Sequence, residues 1–240
     1  KTAYEIPKRD WSSDVCSSDL NKTNNTITVR ASANIVQIIE RIIEQNDNPR
    51  AEVVIDVDEV VRGHQVSQAR AVGRVDGREI FTVNAALGER DVPYAGEWAE
   101  RPTHLPHWSE CRDRDIPEHM RGTISDRIDM RLADAKEWDD FDGTPGSGRA
   151  ALWVRLPELL EVSAAALAIV GDYVPFGISQ ALGHRAGGNS LDNTLRVTSR
   201  TPSEWILADI RIHAVGHGFG HGLVHLWSEH GVLQIGRAHV

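Results

Sequence analysis

Ile35, Val36, Ile38, Ile39, Ile42 and Ile43 recur at helical spacing, with Glu40, Arg41 and Glu44 on the other side. Residues 33–45 are therefore expected to form an amphipathic packing helix. The pattern then changes. Residues 52–61, 65–75 and 78–87 read as three strands, and Asp76-Gly77 between the last two favours the positive φ of a tight hairpin, so this part should be antiparallel sheet. Residues 89–148 lose that regularity: Pro93, Pro102, Pro106 and Pro117 punctuate them, residues 134–142 are acidic, and GTPGSG at 143–148 reads as a flexible hinge. An inter-domain connection is expected there, with a short strand near 126–131. Beyond it, residues 151–156 form a strand carrying Trp153. Ser163 can cap a helix through Val170, Asp172 ends it, and Pro175 opens a further helical piece toward Leu182. Residues 190–197, 206–213 and 223–228 complete the strand candidates, with a turn at His230-Gly231.

The two ends change how much of the chain this pattern describes. Residues 14–20 (DVCSSDL) and 234–240 (QIGRAHV) can be encoded by one DNA string read on opposite strands. That string matches a short-read library adapter, and residues 1–6 and 10–13 fit the rest of it around an index at 7–9. Residues 1–20 and 234–240 are accordingly expected to be translated adapter and are set aside in the fold reading. Residues 21–48 hold six Asn, whereas residues 49–233 hold three and are dominated by Ala, Gly, Arg, Val, Asp and Glu. Either a chimeric join near Pro49 or an Asn-rich native terminus accounts for the shift.

Residues 21–233 amount to 213 residues, enough for one large domain or two small ones with a core. They carry 22 basic and 31 acidic side chains, a net charge of -9 that disfavours nucleic acid as a partner. Cys111 is the single thiol in that stretch, so no internal disulfide forms, and the chain reads as cytoplasmic and reduced. The longest apolar run, residues 164–170, is too short to span a bilayer, and no membrane partner is expected.

His213, His217, His221 and His225 recur every four residues, which raises the question of a metal site. Gly216, Gly218, Gly220 and Gly222 oppose a helix, and on an extended chain successive histidines would stand about 13 Å apart. No shared zinc site is expected. The glycines at 143–148 lack the Lys and Ser or Thr of a phosphate loop, and no serine stands in a G-x-S-x-G elbow. Asp139, Asp140 and Asp142 read as a solvated face.

The second half resembles the C-terminal hotdog of the acyl-CoA thioesterase II family. The resemblance lies in ALAIVGDYVP at 166–175, NSLDNTLRV at 189–197, SEWIL at 203–207 and the strand pair turning at EHGVL, 229–233. In the first half, residues 60–88 resemble the final strands of that family's N-terminal hotdog. The resemblance implies an α+β double hotdog, incomplete here: 49–100 as a partial first hotdog, 101–150 as linker, and 151–233 as a second hotdog lacking its last strand.

It also implies hydrolysis of an acyl-CoA substrate by water, without a covalent intermediate, a metal or another cofactor. In the family an aspartate, a hydroxyl residue and a glutamine hold that water. The aspartate falls on Asp172 and the hydroxyl on Ser190; the glutamine's place is taken by His239. A carboxylate at a helix end beside a hydroxyl can deprotonate water, and main-chain N–H groups near the helix are expected to face the oxyanion. Without that glutamine and the last strand, the 240-residue chain is expected to be poorly soluble and nearly inactive. A hydratase or dehydratase acting on acyl thioesters within the same fold, and a non-catalytic histidine-rich binding protein, stand as alternatives. Assembly of the chain with itself is left open.

An adapter-free clone of the source locus is expected to lack codons for residues 1–20 and 234–240. Sequencing that clone checks it, and finding those codons in the genome would refute the reading of the ends.

Overall fold

The computed structural model describes residues 17–21, 26–30, 52–94, 96–158 and 162–239. The helix expected at 33–45 lies outside the described residues. The chain divides into two compact units, Lys1–Tyr94 and Ala95–Val240.

In the first unit, β1 (Ser17–Asn21) and β2 (Thr26–Arg30) form an antiparallel pair. β3 (Val53–Val61), β4 (Val66–Val75) and β5 (Arg78–Gly88) make a three-stranded antiparallel sheet, within a residue of the strands read from the pattern. Asp76 and Gly77 take φ of 49° and 78°, the conformation a two-residue hairpin requires. The register sorts the side chains by face. Val57, Ala71 and Val83 align across the sheet, and their neighbours Asp58, Arg70 and Asn84 align on the other side. Arg74 ties the polar face together through Asp56 and Glu79.

The second unit is one seven-stranded antiparallel sheet with helices on one face. Its strands are β6 (Arg112–Asp113), β7 (Asp129–Asp134), β8 (Arg149–Arg155), β9 (Thr194–Val197), β10 (Ile206–Gly216), β11 (Phe219–Ser228) and β12 (Leu233–His239). They lie in the order β6-β7-β8-β10-β11-β12-β9. The helices are α1 (Ala164–Gly171) and α2 (Phe176–Leu182). Ser163 caps α1 as expected, its Oγ accepting from the Ala166 amide at 3.1 Å. Pro175 has no amide hydrogen to continue the ladder, so the chain turns through residues 172–175 before α2 starts.

Strand alternation builds two cores. The inner set, Leu152, Val154, Ile206, Ala208, Ile210, Val224, Leu226 and Ile235, meets Leu167, Val170 and Val174 from the helical run. Full burial of a side chain such as Leu167 is worth about 1.5–3 kcal/mol. The run Ala164–Leu182 is long and apolar enough, by length and composition, to cross a bilayer, but here it is a core element laid against the sheet. The outer set is aromatic: Trp153, Trp205 and Trp227 are almost wholly buried with Leu207 and Leu233.

The outer core corrects the reading of residues 101–150 as linker. Trp108 stacks on Trp205 with ring centres 5.3 Å apart, and Arg131 on β7 lies over both rings. The Trp153 indole donates to the Pro106 carbonyl at 3.1 Å. Prolines interrupt regular strands but leave their carbonyls free as acceptors, so residues 101–111 pack on the outer face with a single short 3-10 turn, Trp108–Glu110. β6 and β7 form the edge of the sheet itself.

Nor is GTPGSG a flexible hinge. The Gly143 and Gly146 amides donate to the Gly183 and Ala181 carbonyls at the end of α2, at 2.9 and 3.0 Å. A Cβ on Gly146 would lie 2.4 Å from the Gln180 carbonyl oxygen, so its glycine serves close approach rather than mobility.

The place beside β11 that was expected to be empty is filled by β12, which pairs with β11 on one side and β9 on the other. A ladder is made by main-chain groups and accepts any extended segment whose apolar residues reach the right face. Here Ile235 reaches the inner core and Leu233 the outer one.

Leu167→Ala should cost about 2–5 kcal/mol, whereas Val57→Ala on the exposed face of the first unit's sheet should cost under about 1 kcal/mol. Denaturant unfolding checks the contrast, followed by tryptophan fluorescence for the second unit, through Trp153, Trp205 and Trp227, and by far-ultraviolet circular dichroism for the strands of the first.

Candidate functional site

Asp172 follows the last residue of α1, an apolar helix whose sequence from Ala164 to Gly171 contains no polar side chain. Its backbone (φ -84°, ψ 7°) leaves the helix while its amide still donates to the Ile169 and Val170 carbonyls. The carboxylate thus emerges exposed where the buried helix ends. Next to it, Tyr173 is half-buried; burial pushes its phenol above the ordinary range, and nearby Arg114 with a Ser125 hydrogen bond offsets only part of that. Tyr173 remains a neutral phenol packed against the inner core. The Arg114 guanidinium, lowered chiefly by burial, lies 4.9 Å from the centre of the Phe176 ring.

The segment after α2 carries the partner. Gly183 ends α2 in the left-handed conformation (φ 71°), and the buried Ser179 hydroxyl ties down Ala186, accepting from its amide at 3.1 Å and donating to its carbonyl. The chain returns past α1 and enters β9. On that path the Ser190 hydroxyl donates to Asp172 Oδ1 at 2.6 Å, the short range of a hydroxyl bonded to a carboxylate. Asn193 Nδ2 reaches the same oxygen at 3.5 Å. Asp172 and Ser190, 18 residues apart, are therefore brought together. Asn193 was missed by sequence reasoning, although it stands in the same NSLDN stretch as Ser190.

Two other expectations need correction. The first amides of α2 do not face the site with open hydrogens: Phe176, Gly177 and Ile178 donate to the carbonyls of Tyr173, Val174 and Pro175. The tight turn that begins α2 uses them locally. The four histidines do not lie along one extended strand either. His217 and Gly218 take φ of 54° and 83° and form the turn between β10 and β11, which brings His213 and His221 to 5.3 Å between ring centres. The X-Gly turn signal was there in the sequence, as at Asp76-Gly77. Among the described residues no group of three or more His, Cys, Asp or Glu could hold a metal ion.

Cys111 is not poised as a nucleophile. Its thiol donates to the His107 carbonyl at 3.3 Å, and burial pushes it above the ordinary range, which favours the unreactive protonated form. The site thus presents a carboxylate with a hydroxyl and a carboxamide directed at one of its oxygens.

A family model for the acyl-CoA thioesterase C-terminal domain matches residues 91–237, more than half of the chain. Among solved structures, a protein from Novosphingobium aromaticivorans named as a thioesterase is 32% identical; the match covers 79% of this chain and 72% of that one with a TM-score of 0.66. A hot dog fold protein of unknown function from Alicyclobacillus acidocaldarius is similar at 16% identity, over 87% of this chain and 85% of that one, TM-score 0.68. The acyl-CoA thioesterase II from Mycobacterium marinum is similar at 17% identity, over 86% and 83%, TM-score 0.57. The last two carry the fold alone. No curated protein matches significantly. Taken with a sheet wrapped on a central helix whose end presents Asp172, the matches place this chain in the acyl-CoA thioesterase family, with the hotdog fold.

Proposed function

We propose that the chain hydrolyses acyl-CoA thioesters, with Asp172 as general base and Ser190 as the hydroxyl that holds the attacking water. The observation that carries the reading is the 2.6 Å bond from Ser190 Oγ to Asp172 Oδ1. With its own hydrogen committed to the carboxylate, the Ser190 oxygen has lone pairs with which to accept from water. Among the described residues no hydrogen bond reaches Asp172 Oδ2, which is left to take the water's other proton. The water oxygen bonds to the thioester carbonyl carbon as that proton passes to Asp172. The tetrahedral adduct then expels the CoA sulfur, and Asp172 returns the proton to the departing thiolate. No metal or bound cofactor takes part, and no enzyme ester forms.

Asp172→Asn, which keeps the shape and removes the base, should lower the rate of thiol release by the chain about 10²–10⁴-fold. Ser190→Ala should lose about tenfold or more, since a hydrogen bond to a charged group is worth about 1.5–3 kcal/mol. The assay is release of free CoA thiol with the chain in micromolar amounts, alongside mass analysis of the acyl product. Equal rates with and without the Asp172 carboxylate would reject the site. A modified acyl chain with its thioester intact would move the function to a hydratase.

A further inference from the structure

We infer that Asn193 is a positioning carboxamide of this site, orienting the Asp172 carboxylate from the segment that leads into β9. The inference rests on the reading of Asp172 as base. Asn193 stands one residue before β9, on the segment that carries Ser190 past the end of α1.

The chemistry sets which way the amide faces. An ionised carboxylate only accepts hydrogen bonds, so the group Asn193 turns toward Asp172 Oδ1, 3.5 Å away, is its NH₂ and not its carbonyl. Ser190 and Asn193 converge on the same oxygen. Two donors on Oδ1 restrain rotation of the carboxylate and leave Oδ2 as the basic oxygen. The second Nδ2 hydrogen remains available to a water lying between the amide and the acid. Among the described residues no other carboxamide reaches Asp172, and Asn193's side chain makes no other hydrogen bond, as a residue that merely shaped the entry to β9 would.

Three variants of the full chain test the assignment. Asn193→Leu, similar in size without the donor, should lower kcat about tenfold with KM nearly unchanged and an unaltered melting temperature. Asn193→Gln, which restores a carboxamide, should recover most of the loss. Asp172→Asn is run beside them. If that variant keeps full turnover, the general-base reading fails. If it is inactive while Asn193→Leu keeps full kcat, only the role of Asn193 falls. A second readout needs no turnover: in ¹H–¹⁵N spectra the side-chain amide pair of Asn193 should move when Asp172 is changed to Asn. An amide pair that stays in place overturns the inference.

Discussion

An apolar helix that ends in a carboxylate imposes two opposite demands at one point of the chain, and the second unit is arranged around them. From Ala164 to Gly171 the sequence offers water nothing to bind, so α1 is laid against the inner face of the sheet, with Leu167 and Val170 wholly out of solvent. Asp172 cannot follow it inward without a large desolvation cost. Pro175 cannot continue the helical ladder, so the run breaks there and the carboxylate comes out at the break. The charge sits exposed at the rim of an apolar core.

The sheet's outer face solves a different problem. Three nearly buried tryptophans need a cover, and residues 97–111 provide one through Trp108, the Pro106 carbonyl and Glu97, whose carboxylate accepts from the Leu233 amide at 3.3 and 3.4 Å. Arg131 and Arg155 lie over Trp205 at 4.9 Å from its ring centre, adding charge–ring attraction to the packing. That cover packs on the face of β8 and β10 opposite the one on which α1 lies.

The strands were legible because alternation and an Asp-Gly turn are local signals, and β3 to β5 fall where they were expected. The start of α1 was legible from Ser163 for the same reason. What could not be read locally was the cover on the outer face, since its contacts, such as Trp108 on Trp205, join residues about a hundred positions apart with no periodic pattern. The His217-Gly218 turn was overlooked because the spacing of the histidines drew the reading toward one straight segment. At the site, nothing in residue spacing joins Asp172 to Ser190; the family resemblance did, and the structure supplies the 2.6 Å contact. Asn193 escaped because asparagine ahead of a strand reads as turn chemistry until its partner across the chain is known.

The central claim is that water, and not the protein, attacks the thioester. A single turnover in ¹⁸O-labelled water, with enzyme in excess over acyl-CoA, tests it by mass spectrometry of both the released acid and the peptide bearing Asp172. Direct attack predicts one labelled oxygen in the acid and none in Asp172. Label in the Asp172 carboxylate, with unlabelled acid from the first turnover, would mean that the carboxylate had formed an anhydride and would contradict the account.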